Sequence, residues 1–239
     1  MTETPALAPF PDDWERALCI VAHPDDLEYG AAGAIARWTA AGKHVSYLLV
    51  TRGEAGIDGM DPSEAGPLRE AEERASAAVV GVETVEFLAD HADGVIEYGL
   101  DLRRDLAAAI RRTRPDLVVS MNHTETWGGL SFNMADHRHV GLASLDASRD
   151  AGNRWIFTDA GEPWSGVRRA ALGGSPTPTH YVDLGDAIET SIASLREHAA
   201  YIAGLGTDFD PDAFLRGNAR SAGEAVGCEY AATFQLYEL

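Results

Sequence analysis

Short apolar runs alternate with stretches of helical spacing along most of the chain. Residues 17–22, Ala-Leu-Cys-Ile-Val-Ala, are apolar and partly β-branched, which predicts a buried strand. Ala31, Ile35, Trp38 and Ala41 then recur at helical spacing until Gly42 supplies a stop, so 29–41 reads as a helix. A second strand follows over 45–51. The next helix is predicted over 66–80, with Ala71, Ala75 and Ala78/Val79 on one face and Pro67 near its first turn. Residues 85–89 and 117–121 read as the third and fourth strands, with a helix between them marked by Leu102, Leu106 and Ala109/Ile110. Residues 136–149 are helical in pattern, and 150–178 are irregular. A strand over 180–184 precedes a single helix over 185–204, where Ile188, Ile192, Leu195, Ala199 and Ile202 fall on one stripe. A last helix over 211–225 and an edge strand over 230–236 complete the pattern.

Strands alternating with helices predict an α/β domain: a mostly parallel sheet covered by helices on both faces. Such sheets bind ligands beyond the carboxyl ends of their strands. No internal repeat or linker interrupts the 239 residues, so 1–239 is expected to be one domain. The loops over 52–66 and 150–178 are expected at its rim.

Composition narrows the function classes. Hydrophobic residues make up 45% and charged residues 24%, which excludes wholesale disorder. Nineteen Lys and Arg stand against 38 Asp and Glu, a net charge of −19, which argues against a general nucleic-acid or anionic-membrane binder. The two cysteines, Cys19 in the first strand and Cys228, make neither a disulfide scaffold nor a cysteine-rich zinc site. Residues 1–15 lack the basic and apolar segments of a signal peptide, and no run of about 18 apolar residues predicts a membrane span. The expectation is a cytoplasmic protein whose partner is a small molecule.

The first strand runs straight into Ala22-His23-Pro24-Asp25-Asp26-Leu27-Glu28. Imidazole and carboxylate are the usual ligands of catalytic zinc when thiolates are absent. His23 and Asp26 are three apart, which a turn entering a helix can place on one side, and Pro24 stiffens that turn. Asp25 then points elsewhere, where a carboxylate beside a metal-bound water can take its proton. The structural alternative is a pair of capping aspartates beside a surface histidine. Other chemistries fail on the residues. Gly30-Ala31-Ala32-Gly33 is not a dinucleotide fingerprint, H-E-x-x-H is absent, and Gly129-Leu130-Ser131-Phe132-Asn133 lacks the closing glycine of a nucleophile elbow. A third ligand is available in Asn133-Met134-Ala135-Asp136-His137-Arg138-His139. His137 and His139 are two apart and face different ways on a helix. His137 would complete a set of two imidazoles and one carboxylate with room for water, and Asp136 is a natural cap or support. Two weaker patterns read as structural. Asp208-x-Asp210-x-Asp212 has Ala213 and Ala219 where a calcium loop needs Gly and Glu, so helix capping is expected. Asn122-His123-Thr124 fits a glycosylation acceptor that has no secretory signal to serve it.

Ala22-His23-Pro24-Asp25-Asp26 with the later Ala135-Asp136-His137-Arg138 resembles the LmbE/PIG-L family of zinc-dependent N-acetylglucosaminyl deacetylases. Thr51-Arg52-Gly53-Glu54 is similar to the family's T-x-G-E, Arg69-x-x-Glu72 to its R-x-x-E, and Asp93-Gly94 to its D-G; His198 lies near a C-terminal helical histidine of the family. The resemblance spans about 17–202 and implies a Rossmann-like fold. It implies one zinc per chain on His23, Asp26 and His137, a site type that also accepts iron or cobalt. Asp25 would be the base toward the zinc-bound water, and the substrate would be the acetamide of an amino-sugar conjugate. Arg69 would contact the substrate, or alternatively pair with Glu72 or Glu73. Asp93 would bond a sugar hydroxyl, or only start a turn. Trp127 would stack on a sugar face, or pack within its loop. The resemblance is compatible with a homo-oligomer.

The chain also departs from the family. Met134 stands where many members carry a histidine that assists the oxyanion or the leaving amine, and Phe132 where some carry a tyrosine. Asp136 would thereby lose its usual partner. His123 is the candidate substitute acid, with a solvent-facing loop histidine as its alternative reading; otherwise Asp25 would carry the proton both ways. The rival expectations are a hydrolase of another amide, and a metal- or sugar-binding protein of this fold with impaired catalysis.

Overall fold

The computed structural model describes residues 6–206 and 209–239. Its eight-stranded sheet has the order β1-β9-β10-β8-β5-β2-β3-β4. These strands are β1 (Ala8–Pro9), β2 (Arg16–Val21), β3 (His44–Leu49), β4 (Thr84–Phe87), β5 (Leu117–Met121), β8 (Arg169–Gly173), β9 (His180–Asp183) and β10 (Ala231–Glu238). Strands β4, β3, β2, β5 and β8 are mutually parallel, and β10 runs antiparallel between β8 and β9. A short hairpin, β6 (Thr126–Gly128) and β7 (Ser131–Phe132), stands apart from the sheet.

Among the described residues, seven helices cover the sheet. α3 (Leu100–Thr113) and α4 (Ala135–Asp150) pack together, with α4 on β2 and β5. On the other side α5 (Ala187–Arg196) joins α1 (Ala32–Ala40), α2 (Pro62–Val79) and α7 (Pro211–Val226), with α6 (Ala199–Gly204) against α2. Cys19, Ile20 and Val21 of β2 are sealed between these layers. From β2 the chain adds β3 and β4 on one side, then returns to place β5 on the other. The carboxyl ends of β2 and β5 therefore form the switch point where doubly wound sheets bind ligands. No helix among the described residues is long and apolar enough to cross a membrane.

Several expected elements are corrected. Helix α2 begins at Pro62 rather than near 66, because Asp61 caps it by accepting from Ser63 N at 2.9 Å and Pro62 suits its first turn. Pro67 thus lies inside the helix, and part of the expected rim loop is helical. The stretch 150–178 contains β8, a central strand. The expected edge strand is β10, which lies inside the sheet and not at its edge. The helix expected over 185–204 is two, broken at His198, whose backbone leaves helical geometry. Asp210 does cap α7, accepting from Asp212 N and Ala213 N, while Asp208 lies outside the described residues. Asn122 is buried and holds its own loop, bonding Thr126 O and Thr124 N, so it does not present a free acceptor for a glycan.

Candidate metal and catalytic centre

The turn after β2 and the start of α4 bring His23, Asp26 and His137 together at the switch point. Candidate ligand atoms of the three all lie within 4.8 Å of one another. Asp26 Oδ2 accepts from Ala22 N (3.0 Å) and His23 N (2.8 Å), which fixes the carboxylate under the turn. Its Oδ1 lies 3.1 Å from His137 Nε2, and His23 Nδ1 lies 3.7 Å from Oδ2. Burial works to raise the Asp26 pKa, but His137 and His23 override it and hold the carboxyl well below its usual range.

The outer nitrogen of each imidazole is already engaged. His23 Nε2 meets Asp93 Oδ1 at 3.0 Å and Asp136 Oδ2 at 3.2 Å, and His137 Nδ1 meets Asn133 Oδ1 at 3.0 Å. These acceptors are themselves anchored. Asp136 accepts from Gly94 N and Ile96 N, Asp93 from Ala55 N, and buried Asn133 donates to Asn122 O and Thr124 O. Acceptors on the outer nitrogens orient the inner ones toward a shared point, as in protein metal sites. The donor set and its supports therefore fit a divalent cation with an open position. His23, Asp93 and Asp136 also converge within 4.8 Å, but the two carboxylates are taken up by backbone amides. Asp136, expected to lose its partner at Met134, has His23 instead.

Asp25 sits beside this triad and faces another way. It has φ +93°, a left-handed conformation that costs a side-chain-bearing residue about 1–3 kcal/mol. Three contacts impose it. Asp25 N donates to Glu73 Oε2 at 3.2 Å, Arg69 Nη2 donates to Asp25 Oδ1 at 2.9 Å, and the same guanidinium bonds Pro24 O and Gly53 O. Gly53 has φ +64°, and a Cβ there would stand 2.2 Å from Arg69 Nη1, so the close approach requires glycine. Burial pushes the Asp25 carboxyl up to about 7; Arg69 pulls against burial, and Asp26 adds to the rise.

Behind Asp25, Glu28, Glu73 and His198 form an interior cluster no more than 1% exposed. His198 Nε2 lies 3.7 Å from Glu28 Oε2 and 3.6 Å from Glu73 Oε2. Burial, then Glu28, pushes the Glu73 carboxyl well above its usual range. Burial opposes a charge on His198, but Glu28 overrides it and raises the imidazole. Retained protons thus balance the buried carboxylates.

A cavity of about 190 Å³ joins His23, Asp25, Asp26, Asp93, His137 and Met134, with Tyr29 and Tyr201 also on its wall. The Arg69 guanidinium stacks 4.3 Å from the Tyr201 ring centre. Burial, then neighbouring Asp25, pushes the Tyr201 phenol upward, so it stays a neutral O–H donor. Arg69 lies on this cavity but spends its Nη atoms on Asp25 and two carbonyls. Its predicted partners Glu72 and Glu73 bond elsewhere: Glu72 Oε1 accepts from Ala200 N. Trp127, from the β6–β7 hairpin, meets the His137 ring edge-on at 5.5 Å. His123 lies apart, beside Gly141 of α4, and is not among the residues lining the cavity. Phe132 is mostly exposed and carries the Arg138 guanidinium on its ring. Tyr29 and Tyr201 escape the sequence reading, since neither belongs to a ligand pattern; Glu73 enters it only as a partner of Arg69, and Asn133 has no role in it.

The chain resembles known proteins in both sequence and fold. Over 196 residues the chain is 31% identical to diacetylchitobiose deacetylase of Thermococcus kodakarensis, covering 80% of this chain and 71% of that protein. The structure of N,N'-diacetylchitobiose deacetylase from Pyrococcus horikoshii, complexed with an inhibitor, superposes with a TM-score of 0.85 at 26% identity, over 95% of this chain and 85% of that one. A 4-carboxy-2-hydroxymuconate hydratase from Pseudomonas putida shares the fold at a TM-score of 0.74 and 20% identity, over 94% and 97% of the two chains. Residues 18–148 match the PIG-L family model, described as GlcNAc-PI de-N-acetylase, and this chain belongs to that family of deacetylases.

Proposed function

We propose that this chain is a metal-dependent N-deacetylase, which hydrolyses the acetamide of an N-acetylglucosamine-type conjugate to acetate and a free amine. The observation that carries this reading is the convergence of His23, Asp26 and His137 beside a buried Asp25 with its pKa near neutrality. His23, Asp26 and His137 would hold the ion, and two imidazoles with one carboxylate suit zinc. When bound, such an ion polarises an acetamide carbonyl and makes a water easier to deprotonate.

Asp25 is the general base in this reading. A pKa of about 7 matches a group that must both accept and release a proton near neutral pH. It takes a proton from water as the oxygen adds to the carbonyl carbon. It returns that proton to the amine nitrogen as the C–N bond breaks. One carboxylate then serves both steps, and Met134 needs no proton to give. Arg69 aims Asp25, while Asp93 and Asp136 aim His23. Tyr201 and Tyr29 offer O–H donors to the charge that develops on the carbonyl oxygen. Trp127 offers a ring for a sugar face. The two unpaired cysteines fit a reducing, cytoplasmic setting.

The test is Asp25→Asn, assayed on N-acetylglucosamine conjugates with metal content measured alongside. The expected result is wild-type metal content with a rate about 10²–10⁴-fold lower. A metal-loaded variant as active as wild type would remove Asp25 from the chemistry.

A further inference from the structure

The interior cluster behind Asp25 has a geometry that the deacetylase reading does not use. Candidate ligand atoms of Glu28, Glu73 and His198 all lie within 4.8 Å of one another, as those of His23, Asp26 and His137 do. The three residues come from separate segments. Glu28 lies in the turn after β2, Glu73 in α2, and His198 at the break between α5 and α6. Both ring nitrogens of His198, Glu28 Oε2 and Glu73 Oε1 are buried with no hydrogen-bond partner among the described residues. The other carboxylate oxygens are anchored: Glu28 Oε1 accepts from Ser76 Oγ at 2.7 Å, and Glu73 Oε2 from Asp25 N at 3.2 Å. Each carboxylate is thus held at one oxygen while the other is left over. Unpartnered polar atoms are rare in protein interiors, and several in one cluster call for a bound partner.

The spacing is that of ligands sharing an ion rather than of a hydrogen bond. His198 Nε2 stands 3.7 Å from Glu28 Oε2 and 3.6 Å from Glu73 Oε2. Both exceed the roughly 2.7–3.2 Å of an N–H···O bond. Donors about 2.0–2.2 Å from one tetrahedral ion stand about 3.3–3.6 Å apart. In the catalytic triad His23 Nδ1 and Asp26 Oδ2 show the same 3.7 Å. Charge adds a second argument. Two carboxylates in a poor solvent need two compensating charges. A bridging water supplies hydrogen bonds but no charge, whereas one divalent cation supplies both charges and takes the place of the protons on Glu73 and His198.

We propose that Glu28, Glu73 and His198 form a second, structural metal site for a divalent transition cation such as zinc or manganese. Two carboxylates and one imidazole suit such ions. None of the three residues lines the catalytic cavity, so the inference does not depend on the deacetylase reading. The ion ties the turn that carries His23, Asp25 and Asp26 to α2 and to the α5–α6 junction. Its donor atoms are closed to solvent, so it enters as the chain folds and does not exchange freely. Zinc added to the folded protein therefore reports on His23, Asp26 and His137 alone.

The test is metal content by mass spectrometry, on chains expressed with zinc and manganese supplied and then dialysed, still folded, against a chelator. His23→Ala, which disables the catalytic triad, is expected to keep about one ion per chain through dialysis and to release it on unfolding in urea. His198→Gln and Glu28→Gln, each checked for folding by circular dichroism, should lose that ion. A folded His23→Ala protein free of metal after dialysis would overturn the proposal, and this arm does not require either interior variant to fold. An ion retained in folded His198→Gln and Glu28→Gln as fully as in His23→Ala would also overturn it, by placing the ion elsewhere.

Discussion

Replacing Arg69 by Met removes the cation that meets the Asp25 carboxylate while keeping much of the side-chain volume. Arg69 is 2% exposed and Asp25 4%, so water cannot readily take over the lost contact. Measured above pH 7, where the Asp25 carboxyl is ionised in the wild type, breaking this buried ion pair from one side costs up to about 3–5 kcal/mol, because the carboxylate is left uncompensated or must take up a proton. That is a large part of the roughly 5–15 kcal/mol that holds a domain folded. In a chain of this size it corresponds to a drop in Tm of about 6–20 °C. Urea unfolding of metal-free protein should show a lower midpoint with an unchanged slope. The companion is a double-mutant cycle with Asp25→Asn. If the loss comes from a stranded carboxylate, removing that charge should recover at least about 1 kcal/mol of it. A loss below about 1 kcal/mol in the single variant, or strict additivity in the pair, would refute the argument that Arg69 and Asp25 stabilise each other.

Other consequences are equally direct. Tyr201→Phe should lower kcat about 10²-fold with little change in KM, metal content or melting, as for the loss of an oxyanion donor; a change in KM alone would mark it as a binding group. His23→Ala should abolish the rise in Tm on adding zinc, which for wild type at about 1,000 times Kd is worth about 4 kcal/mol; an equal rise in the variant would place the ion elsewhere. The interior cluster makes stability depend on pH. His198 and Glu73 hold their protons more tightly folded than unfolded, above ordinary values of 6.5 and 4.5. Each contribution is therefore complete below the unfolded pKa and lost as pH rises through the folded one. Urea midpoints of metal-free protein should fall from about pH 4.5 upward as Glu73 is called on to ionise, and further above about pH 6.5 where His198 joins; His198→Gln should flatten the upper part of that fall, and parallel curves for the two proteins would refute it.

Part of the candidate site was legible because several of its residues are local. His23, Asp25 and Asp26 follow a strand directly, and β5 has the bounds its apolar run indicates. What the pattern missed depends on tertiary context. Strand β8 is Arg-Ala-Ala-Leu-Gly, whose small residues suffice because strands flank it on both sides. Strand β10 reads as peripheral, yet its place between β8 and β9 is fixed by pairing across long stretches of chain. The break at His198 leaves the apolar stripe intact and has no Gly or Pro to announce it; the interior carboxylates beside the imidazole are its counterpart. Asp93 and Asp136 carry signals of a turn and a cap, and only the folded chain brings both to His23. Tyr201 reaches Asp25 from the far end of the sequence, where no spacing rule applies.

The position of β10 bears on how the chain is made. Strands β8 and β9 are made after β2 to β5 but before the strand that joins them, which follows some 50 residues later. Until then β8 can pair with β5 on one side only, and β9 has no link to the parallel half. For that interval the nascent chain presents open β edges, a state prone to aberrant association. Much of the half that carries His23, Asp25 and Asp26 can condense beforehand, since β2, β3, β4 and β5 are already complete. The sheet is therefore most exposed to misassembly in the interval between the making of β9 and of β10, and its demand on chaperones should concentrate there.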